Sequence, residues 1–322
     1  MKDTEFAYAV ARVRANENKL ISSSGIESLI NCADYSEAVR LLSEMGYEKL
    51  DVLDEEAVLS DVLRRAFELI YTSAPDKSCL DFLVVKNDFH NIKALLKCMV
   101  SGKDASSFML SPSVVDTGLI KEALEQKDFT ELPEFLSQTV KDAYELITTT
   151  MDGQKLEIFL DKKSLEASVF LAGLSGDEFS AALADYICMI SDIKIALRCL
   201  KSKKDKGFIM SALADCKLLD KNSLCDAAMS GEDALGLYVK SLGLEAVADS
   251  IARGYASFEK TCDDLIMEKI RHAKYMCLGI APLVAYYFAT DAEVKTVRIV
   301  LSCKKNGIDS ESIRERVRSL YV

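Results

Sequence analysis

Proline and glycine are scarce in this sequence, with 4 and 14 among its 322 residues. So few turn-forming residues disfavour a β-sandwich, a propeller or another fold that needs frequent tight turns. The composition is otherwise ordinary, with 49% hydrophobic and 28% charged residues, which argues against a disordered chain. The length is sufficient for two or three domains.

The sequence also lacks the motifs of several catalytic and metal-binding classes. It has 2 histidines, no C-x-x-C pair, no glycine-rich phosphate loop and no G-x-S-x-G motif. Neither His90 nor His272 has the i, i+4 partner of a zinc-binding helix, and we interpret His90 as a hydrogen-bonding residue near a helix N-terminus. A cysteine nucleophile with a distant histidine is formally possible but has no local signature. We expect no catalytic residue, no cofactor and no metal.

The net charge and the hydropathy of the chain argue against nucleic acid and membrane lipid as binding partners. The net charge of −11 is unlike that of a nucleic-acid binder and disfavours contact with anionic lipid. The longest uncharged run, 275–290, is shorter than the roughly 20 residues of a membrane span, and we expect a buried helix pair that is interrupted at Gly279–Pro282. The ten scattered cysteines and the absence of an apolar N-terminal signal indicate reduced thiols in the cytoplasm.

Helical periodicity dominates the pattern of apolar residues. Stripes at i, i+3/i+4 and i+7 occur over 58–70 and 136–147, and no convincing alternating strand pattern is present. The acidic groups 54–56 and 263–264 fit helix starts or polar faces. The sequence therefore predicts an all-α fold. Start signals of the form S/T/D-x-x-E occur at Ser24, Asp34, Ser175 and Thr290, and stop signals at Gly46, Gly102 and Gly307.

An internal repeat is the most informative feature of the chain. The segments 91–104, 192–205 and 293–306 align without a gap at a constant offset of 101 residues. The column before each aliphatic residue holds Asn91, Asp192 and Glu293. A period this long exceeds that of solenoid repeats, so three copies that close into a body with pseudo-threefold symmetry are the better expectation. Two apolar columns are expected to be buried: Ile92, Ile193 and Val294, and, seven residues later, Met99, Leu200 and Leu301.

Lysines gather at the end of each repeated segment. Lys103, Lys204 and Lys305 share one column, and if the copies are related by rotation they face the same end of the molecule. They are our candidate partner-facing rim, a local positive surface on an acidic protein. The alternative is that they are simply cations at helix C-termini, where they complement the helix dipole.

Three stretches resemble the C subunit of bacterial and archaeal V/A-type rotary ATPases, the counterpart of the eukaryotic d subunit. They are 6–22, 86–97 and 282–322, and the middle of the chain, about 105–255, is generic. Asn87–Asp88 and His90–Asn91 carry the most specific part of the resemblance, followed by 292–298.

The resemblance implies a fold and a function. It implies a funnel-shaped body of three similar helical lobes, for which we take the boundaries 1–120, 121–221 and 222–322. It implies a non-catalytic central-stalk rotor component, a socket that links the D and F subunits of the shaft to the membrane ring of ion-carrying subunits. Such a socket transmits torque for proton or sodium transport coupled to ATP synthesis or hydrolysis, at the cytoplasmic face of the membrane. The alternatives are a helical-repeat scaffold or adaptor, and an all-α enzyme with a cleft between lobes.

Overall fold

A computed structural model describes residues 2–48, 50 and 54–322 of the chain. These residues form sixteen α-helices and contain no β-strand, which confirms the all-α class. The first eight helices are α1 Ala7–Glu17, α2 Ser23–Asn31, α3 Tyr35–Glu44, α4 Glu55–Ser73, α5 Asp81–Ser101, α6 Thr117–Gln126, α7 Glu134–Thr150 and α8 Gly153–Leu174. The others are α9 Glu178–Lys201, α10 Lys206–Ala212, α11 Lys221–Ser230, α12 Glu232–Ser241, α13 Glu245–Ile251, α14 Tyr255–Arg271, α15 Ala281–Lys305 and α16 Ser310–Arg316.

The helices divide into two compact units. One unit combines both ends of the chain, up to Lys77 and from Leu244 to Val322, and the other is Ser78–Gly243. The expected three lobes, with their pseudo-threefold relation and the boundaries 1–120, 121–221 and 222–322, stay a prediction. Within the described ranges, no helix is both long enough and apolar enough to cross a membrane.

In the first unit, α15 is the central helix. It packs against α4, α1, α3 and α14, and residues on nearly all of its faces are buried. Its C-terminal half shares a core with α2 and α3, to which Leu29, Leu42 and Leu301 contribute. In the second unit α8 lies between α5 and α9, and α11 packs on α9.

Local signals in the sequence set several helix ends. Asp34 accepts a hydrogen bond from the Glu37 amide at 2.9 Å, and the Glu37 side chain accepts one from the Ala33 amide at 2.6 Å. This reciprocal pair confirms the start predicted there. Gly102, in the left-handed conformation at φ 67°, ends α5 as predicted. A left-handed residue at this place ends a helix while satisfying its last carbonyls.

Three of the predicted starts are corrected by the structure. The caps of α2 and α9 are Ser22 and Asp177, two residues away from the predicted Ser24 and Ser175. The start predicted at Thr290 is wrong, because α15 already begins at Ala281, with a proline in its first turn. Helix α15 begins within the predicted break at Gly279–Pro282, which confirms the break. The buried helix expected before the break is wrong, because 276–280 is not helical and Tyr275, Met276 and Leu278 are exposed.

The first apolar column of the repeat is confirmed. Ile92, Ile193 and Val294 are all buried, on α5, α9 and α15 respectively. Each lies in the inner part of a long helix, where neighbouring helices cover its side chain. The second column is confirmed for Leu301, which is fully buried, whereas Leu200 is only half-buried.

The prediction for Met99 is wrong. Its side chain is 43% exposed in the last turns of α5. The physical reason is that Met99 borders an open groove of about 350 Å³ between the end of α5 and α6, so no helix covers it.

Candidate interaction site

Four polar residues of α5 hold the segment that follows this helix. We call Asn87, Asp88, His90 and Asn91 the α5 clasp. The Asn87 amide nitrogen donates to the Pro112 carbonyl at 2.7 Å, and His90 Nε2 lies 3.0 Å from the Phe108 carbonyl oxygen. The clasp contains the four residues that carry the most specific family resemblance in the sequence.

The two inner members of the clasp are fully buried. Asp88 accepts hydrogen bonds from the amides of Val114 and Val115, at 2.9 and 2.8 Å. Asn91 accepts one from the Leu110 amide at 2.7 Å and donates to the Leu110 carbonyl at 3.0 Å. The two buried side chains therefore fix Leu110, Val114 and Val115 along α5, while half-buried Asn87 and exposed His90 hold the rest of the segment 108–115.

The Asn91 column of the repeat has the same kind of contact in all three copies. Asp192 on α9 accepts from the Ala214 amide at 2.9 Å, and Glu293 on α15 accepts from the Ile21 amide at 2.5 Å. All three side chains are buried. This polar column is visible in the sequence, but no role was predicted for it. The sequence contained a signal for this role. A polar residue on an apolar helix face is buried with that face, and a buried polar group needs a hydrogen-bond partner.

Burial changes the acidity of these carboxyl groups. Burial raises the pKa of Asp88 to about 6, although the two backbone amides act in the opposite direction. Burial likewise raises the pKa of Asp192 to about 7 and raises that of Glu293. Perturbed carboxyl groups of this kind can be acid–base catalysts. Here each is closed off from solvent and bonded to backbone amides, so its role is to anchor a loop.

His90 and the acidic pairs make structural contacts. His90 lies at the middle of α5, so our prediction of a site near a helix N-terminus is corrected; the segment 91–104 covers only the second half of that helix. The described residues contain no group of three or more His, Cys, Asp or Glu that could hold a metal ion. The acidic groups were predicted to lie at helix starts or on polar faces. Asp54 caps α4, and Asp263 and Asp264 pair with Arg318 and Lys260, respectively.

The three candidate rim lysines lie at or just beyond the ends of long helices. Lys103 and Lys305 are exposed and Lys204 is half-buried. Lys103 and Lys204 lie in turns of the second unit, whereas Lys305 is the last residue of α15 in the first. The Lys204 ammonium lies 4.4 Å from the Phe208 ring centre, and that of Lys305 lies 5.9 Å from the Tyr35 ring centre.

Some of the basic neighbours of these lysines are neutralised and others are not. In the part of the chain that the structure describes, Lys103, Lys204 and Lys305 form no ion pair, and neither do Lys203 and Lys304, the latter donating a hydrogen bond to the Cys32 carbonyl. Three other lysines nearby are neutralised by acidic groups of adjacent helices. The neutralised lysines are Lys97 with Glu157, Lys201 with Glu232, and Lys206 with Asp226. The positive charge that is left at the ends of these helices thus comes from the repeated column together with Lys203 and Lys304.

Two of the lysines lie at similar grooves. The groove of about 350 Å³ beside Lys103 is also lined by Cys98, and a groove of about 300 Å³ beside Lys204 is also lined by Cys199. Cys98 and Cys199 occupy one column of the repeat, as do the two lysines. The similarity between these two copies therefore extends from the sequence to the local surface.

Comparison with known proteins gives one consistent family. A sequence profile of the ATP synthase (C/AC39) subunit family matches residues 9–316. The C subunit of the V-type sodium ATPase of Enterococcus hirae is 21% identical over 319 residues, which span 96% of this chain and 97% of that protein. The C subunit of the A-type ATP synthase of Methanocaldococcus jannaschii is 25% identical over 350 residues, spanning 98% and 86%. The C subunit of the V-type ATP synthase of Thermus thermophilus is 25% identical over 198 residues, or 58% of this chain and 60% of that protein.

Proposed function

The chain belongs to the ATP synthase (C/AC39) subunit family, and from this premise we propose that it is a non-catalytic central-stalk component of a V/A-type rotary ATPase. In this proposal it is a socket between the D and F subunits of the shaft and the membrane ring of ion-carrying subunits, at the cytoplasmic face of the membrane. The rotation that it transmits couples ion transport to ATP synthesis or hydrolysis. The observation that carries the proposal is the match of the family profile to nearly the whole chain, 9–316.

The anchored loops support a mechanical role. A coupling between two rotating parts transmits torque only if its own segments do not yield. Packed helices are stiff, and long free loops are not. Here the segment 108–115 is held by the α5 clasp, and Asp192 and Glu293 hold Ala214 and Ile21 in the same way. Segments that would otherwise be pliable are thus tied to long helices.

The rim lysines support an electrostatic contact with a partner. Among the described residues, Lys103, Lys204 and Lys305 form no ion pair, whereas Lys97, Lys201 and Lys206 nearby are neutralised. On a chain of net charge −11, three unpaired cations in one column of a repeat fit an acidic partner surface, for which we propose the loops of the ring. Single exposed pairs are worth at most about 1 kcal/mol, so the three must act together.

Co-purification from membranes of the native host tests both parts of the proposal. A tagged full-length chain is expected to sediment with membranes and to bring down the other ATPase subunits. The triple variant Lys103→Glu, Lys204→Glu, Lys305→Glu is expected to be lost from the membranes at lower salt than the wild type, because exposed ion pairs are screened.

A second triple variant is the matched control. Lys19→Glu, Lys141→Glu and Lys240→Glu change the net charge by the same amount at three other exposed lysines. If the two triple variants detach alike, the lysine rim is wrong while the family role stands. If the wild-type chain brings down no ATPase subunit, the family role itself is wrong, and a helical scaffold or adaptor becomes the better interpretation.

A further inference from the structure

Two cysteines lie close together where the segment 213–220 packs against α9. Cys188 lies on α9 and is buried, whereas Cys216 lies in the crossing segment and is half-buried. The two thiols are close enough for each to shift the pKa of the other. The Cys216 thiol also lies 3.8 Å from the Asp185 carbonyl oxygen, one turn before Cys188, which fixes the sulfur against this part of the helix.

The surroundings give the two sulfurs different acidities. The neighbouring Cys188 lowers the pKa of Cys216, and the amides of Leu218 and Leu219 act in the same direction, against burial and Asp185. The Leu218 amide donates to the Cys216 sulfur at 3.4 Å. A lowered pKa favours the thiolate, which is the nucleophilic form of cysteine.

Cys188 is kept in its protonated form. The neighbouring Cys216, its burial and the nearby Asp192 all raise its pKa. The other polar groups around the pair are Asp185, whose carboxylate lies 3.4 Å from the Lys217 ammonium, and Tyr238 of α12. The pair thus combines a half-buried thiol whose pKa is lowered with a buried thiol whose pKa is raised.

The other eight cysteines lack this combination. Cys277 is exposed, but no other cysteine is in contact with it in the part of the chain that the structure describes. Cys199 and Cys225 are near enough to affect each other's charge, but both are buried. Cys216 is therefore the partly exposed cysteine at which an oxidant from solution would find a second thiol beside the first.

We propose that Cys188 and Cys216 form a redox-active dithiol, which peroxide converts into an intramolecular disulfide that ties the segment 213–220 to α9. In the first step the Cys216 thiolate attacks hydrogen peroxide, the O–O bond breaks, and Cys216 sulfenic acid and hydroxide form. In the second step the Cys188 sulfur attacks the sulfenic sulfur. An S–S bond forms, and the sulfenic hydroxyl leaves with the Cys188 proton as water. The two sulfurs together lose two electrons, and one peroxide is reduced.

Peptide mapping of the full-length protein tests this assignment. The reduced protein is treated with hydrogen peroxide, the remaining thiols are blocked with N-ethylmaleimide, and peptides are analysed by mass spectrometry without reduction. We expect a peptide pair linked through Cys188 and Cys216, the loss of two free thiols per chain, and recovery of both with dithiothreitol. In the unoxidised protein, alkylation of Cys216 at neutral pH should be several-fold faster than that of Cys277.

Variants separate the two steps. Cys188→Ser removes the second thiol, so Cys216 sulfenic acid should accumulate and be trapped by dimedone. Cys277→Ser is the matched control and should still form the disulfide. Because the mapping needs only the wild-type chain, a variant that fails to fold does not affect the test. The proposal is overturned if peroxide yields only dimers linked through Cys277, or only sulfinic acid at Cys216, or no linkage between Cys188 and Cys216. It does not depend on the proposed role in an ATPase.

Discussion

The Tyr47 hydroxyl donates a 2.7 Å hydrogen bond to the Glu293 carboxylate inside the first unit, across 246 residues of sequence. The second carboxylate oxygen accepts a hydrogen bond from the Ile21 amide. Glu293 and Tyr47 are both buried. One side chain of α15 thus ties two segments from the beginning of the chain to a helix near its end.

Replacement of Glu293 by alanine should destabilise the protein. In Glu293→Ala the Tyr47 hydroxyl and the Ile21 amide are left buried without their acceptor, and each unsatisfied group costs about 1–3 kcal/mol. We expect the free energy of unfolding to fall by about 2–4 kcal/mol, measured by urea denaturation followed by circular dichroism. The matched control is Glu44→Ala, an exposed glutamate of the same unit, which should change stability by less than about 0.5 kcal/mol. Equal losses for the two variants would show that the bridge contributes nothing.

This bridge shows which helix ends could be predicted from the sequence and which could not. Asp34 with Glu37 and Thr290 with Glu293 have the same spacing, yet only the first pair begins a helix. The Asp34 contacts are made within four residues, so the local sequence contains all that decides them. The partners of Glu293 lie 246 and 272 residues away, and no local pattern points to them.

The candidate site, like the helix ends, could be predicted only in part from the sequence. The alignment of Lys103, Lys204 and Lys305 in one column could be predicted from the repeat. The lack of ion pairs at these lysines could not. Whether a lysine is neutralised depends on the helix that packs beside it, as for Lys97, whose partner Glu157 lies on α8. The burial of Ile92 was predictable from its place in a long apolar helix. The exposure of Met99 was not, because it depends on where the neighbouring helices stop.

The buried carboxyl groups predict a dependence of stability on pH. Burial raises the pKa of Asp192 to about 7, with Cys216 and Asp215 acting in the same direction and the Ala214 amide and Lys221 in the opposite one. The unfolded chain has an ordinary aspartate pKa near 4, so between about pH 4 and about pH 7 the folded state binds more protons. The free energy of unfolding contributed by this group is therefore greatest at low pH and falls as the pH rises through that window.

The variant Asp192→Asn should make this fall shallower. Asparagine keeps an oxygen for the Ala214 amide but cannot ionise, so the cost of a buried charge at high pH disappears. Urea denaturation at about pH 4.5 and about pH 8 should show a smaller difference between the two conditions for the variant than for the wild type. Asp88 and Glu293, whose pKa values are also raised, keep a residual dependence of the same sign. An identical pH dependence in both proteins would mean that Asp192 is ionised as readily in the folded state as in the unfolded one.

The α5 clasp should control the mobility of the segment it holds. Asn91→Ala removes both hydrogen bonds to Leu110 and the 3.4 Å contact with the Thr117 hydroxyl, leaving buried backbone groups without partners. We expect a loss of about 1–3 kcal/mol and faster hydrogen exchange over 108–115, measured by mass spectrometry. His90→Ala is the matched control, since it removes one exposed contact from the same face and should have a much smaller effect. Faster exchange in the histidine variant alone would assign the anchoring to the outer part of the clasp.

Two substitutions on α5 test the burial pattern of the repeat. Ile92 is fully buried, and truncation of a buried isoleucine to alanine removes apolar contacts and leaves a cavity, at a cost of about 2–5 kcal/mol. Met99 lies two turns further along the same helix with 43% of its surface exposed, on the open side of a groove. Because little of its side chain leaves water on folding, Met99→Ala should cost less than about 1 kcal/mol. Urea denaturation of both variants measures the difference directly, and both replacements are by alanine in one helix, so helix propensity cannot account for a large gap. If Met99→Ala proved as costly as Ile92→Ala, the groove beside α5 would be closed in solution and the burial predicted from the seven-residue spacing would be correct after all.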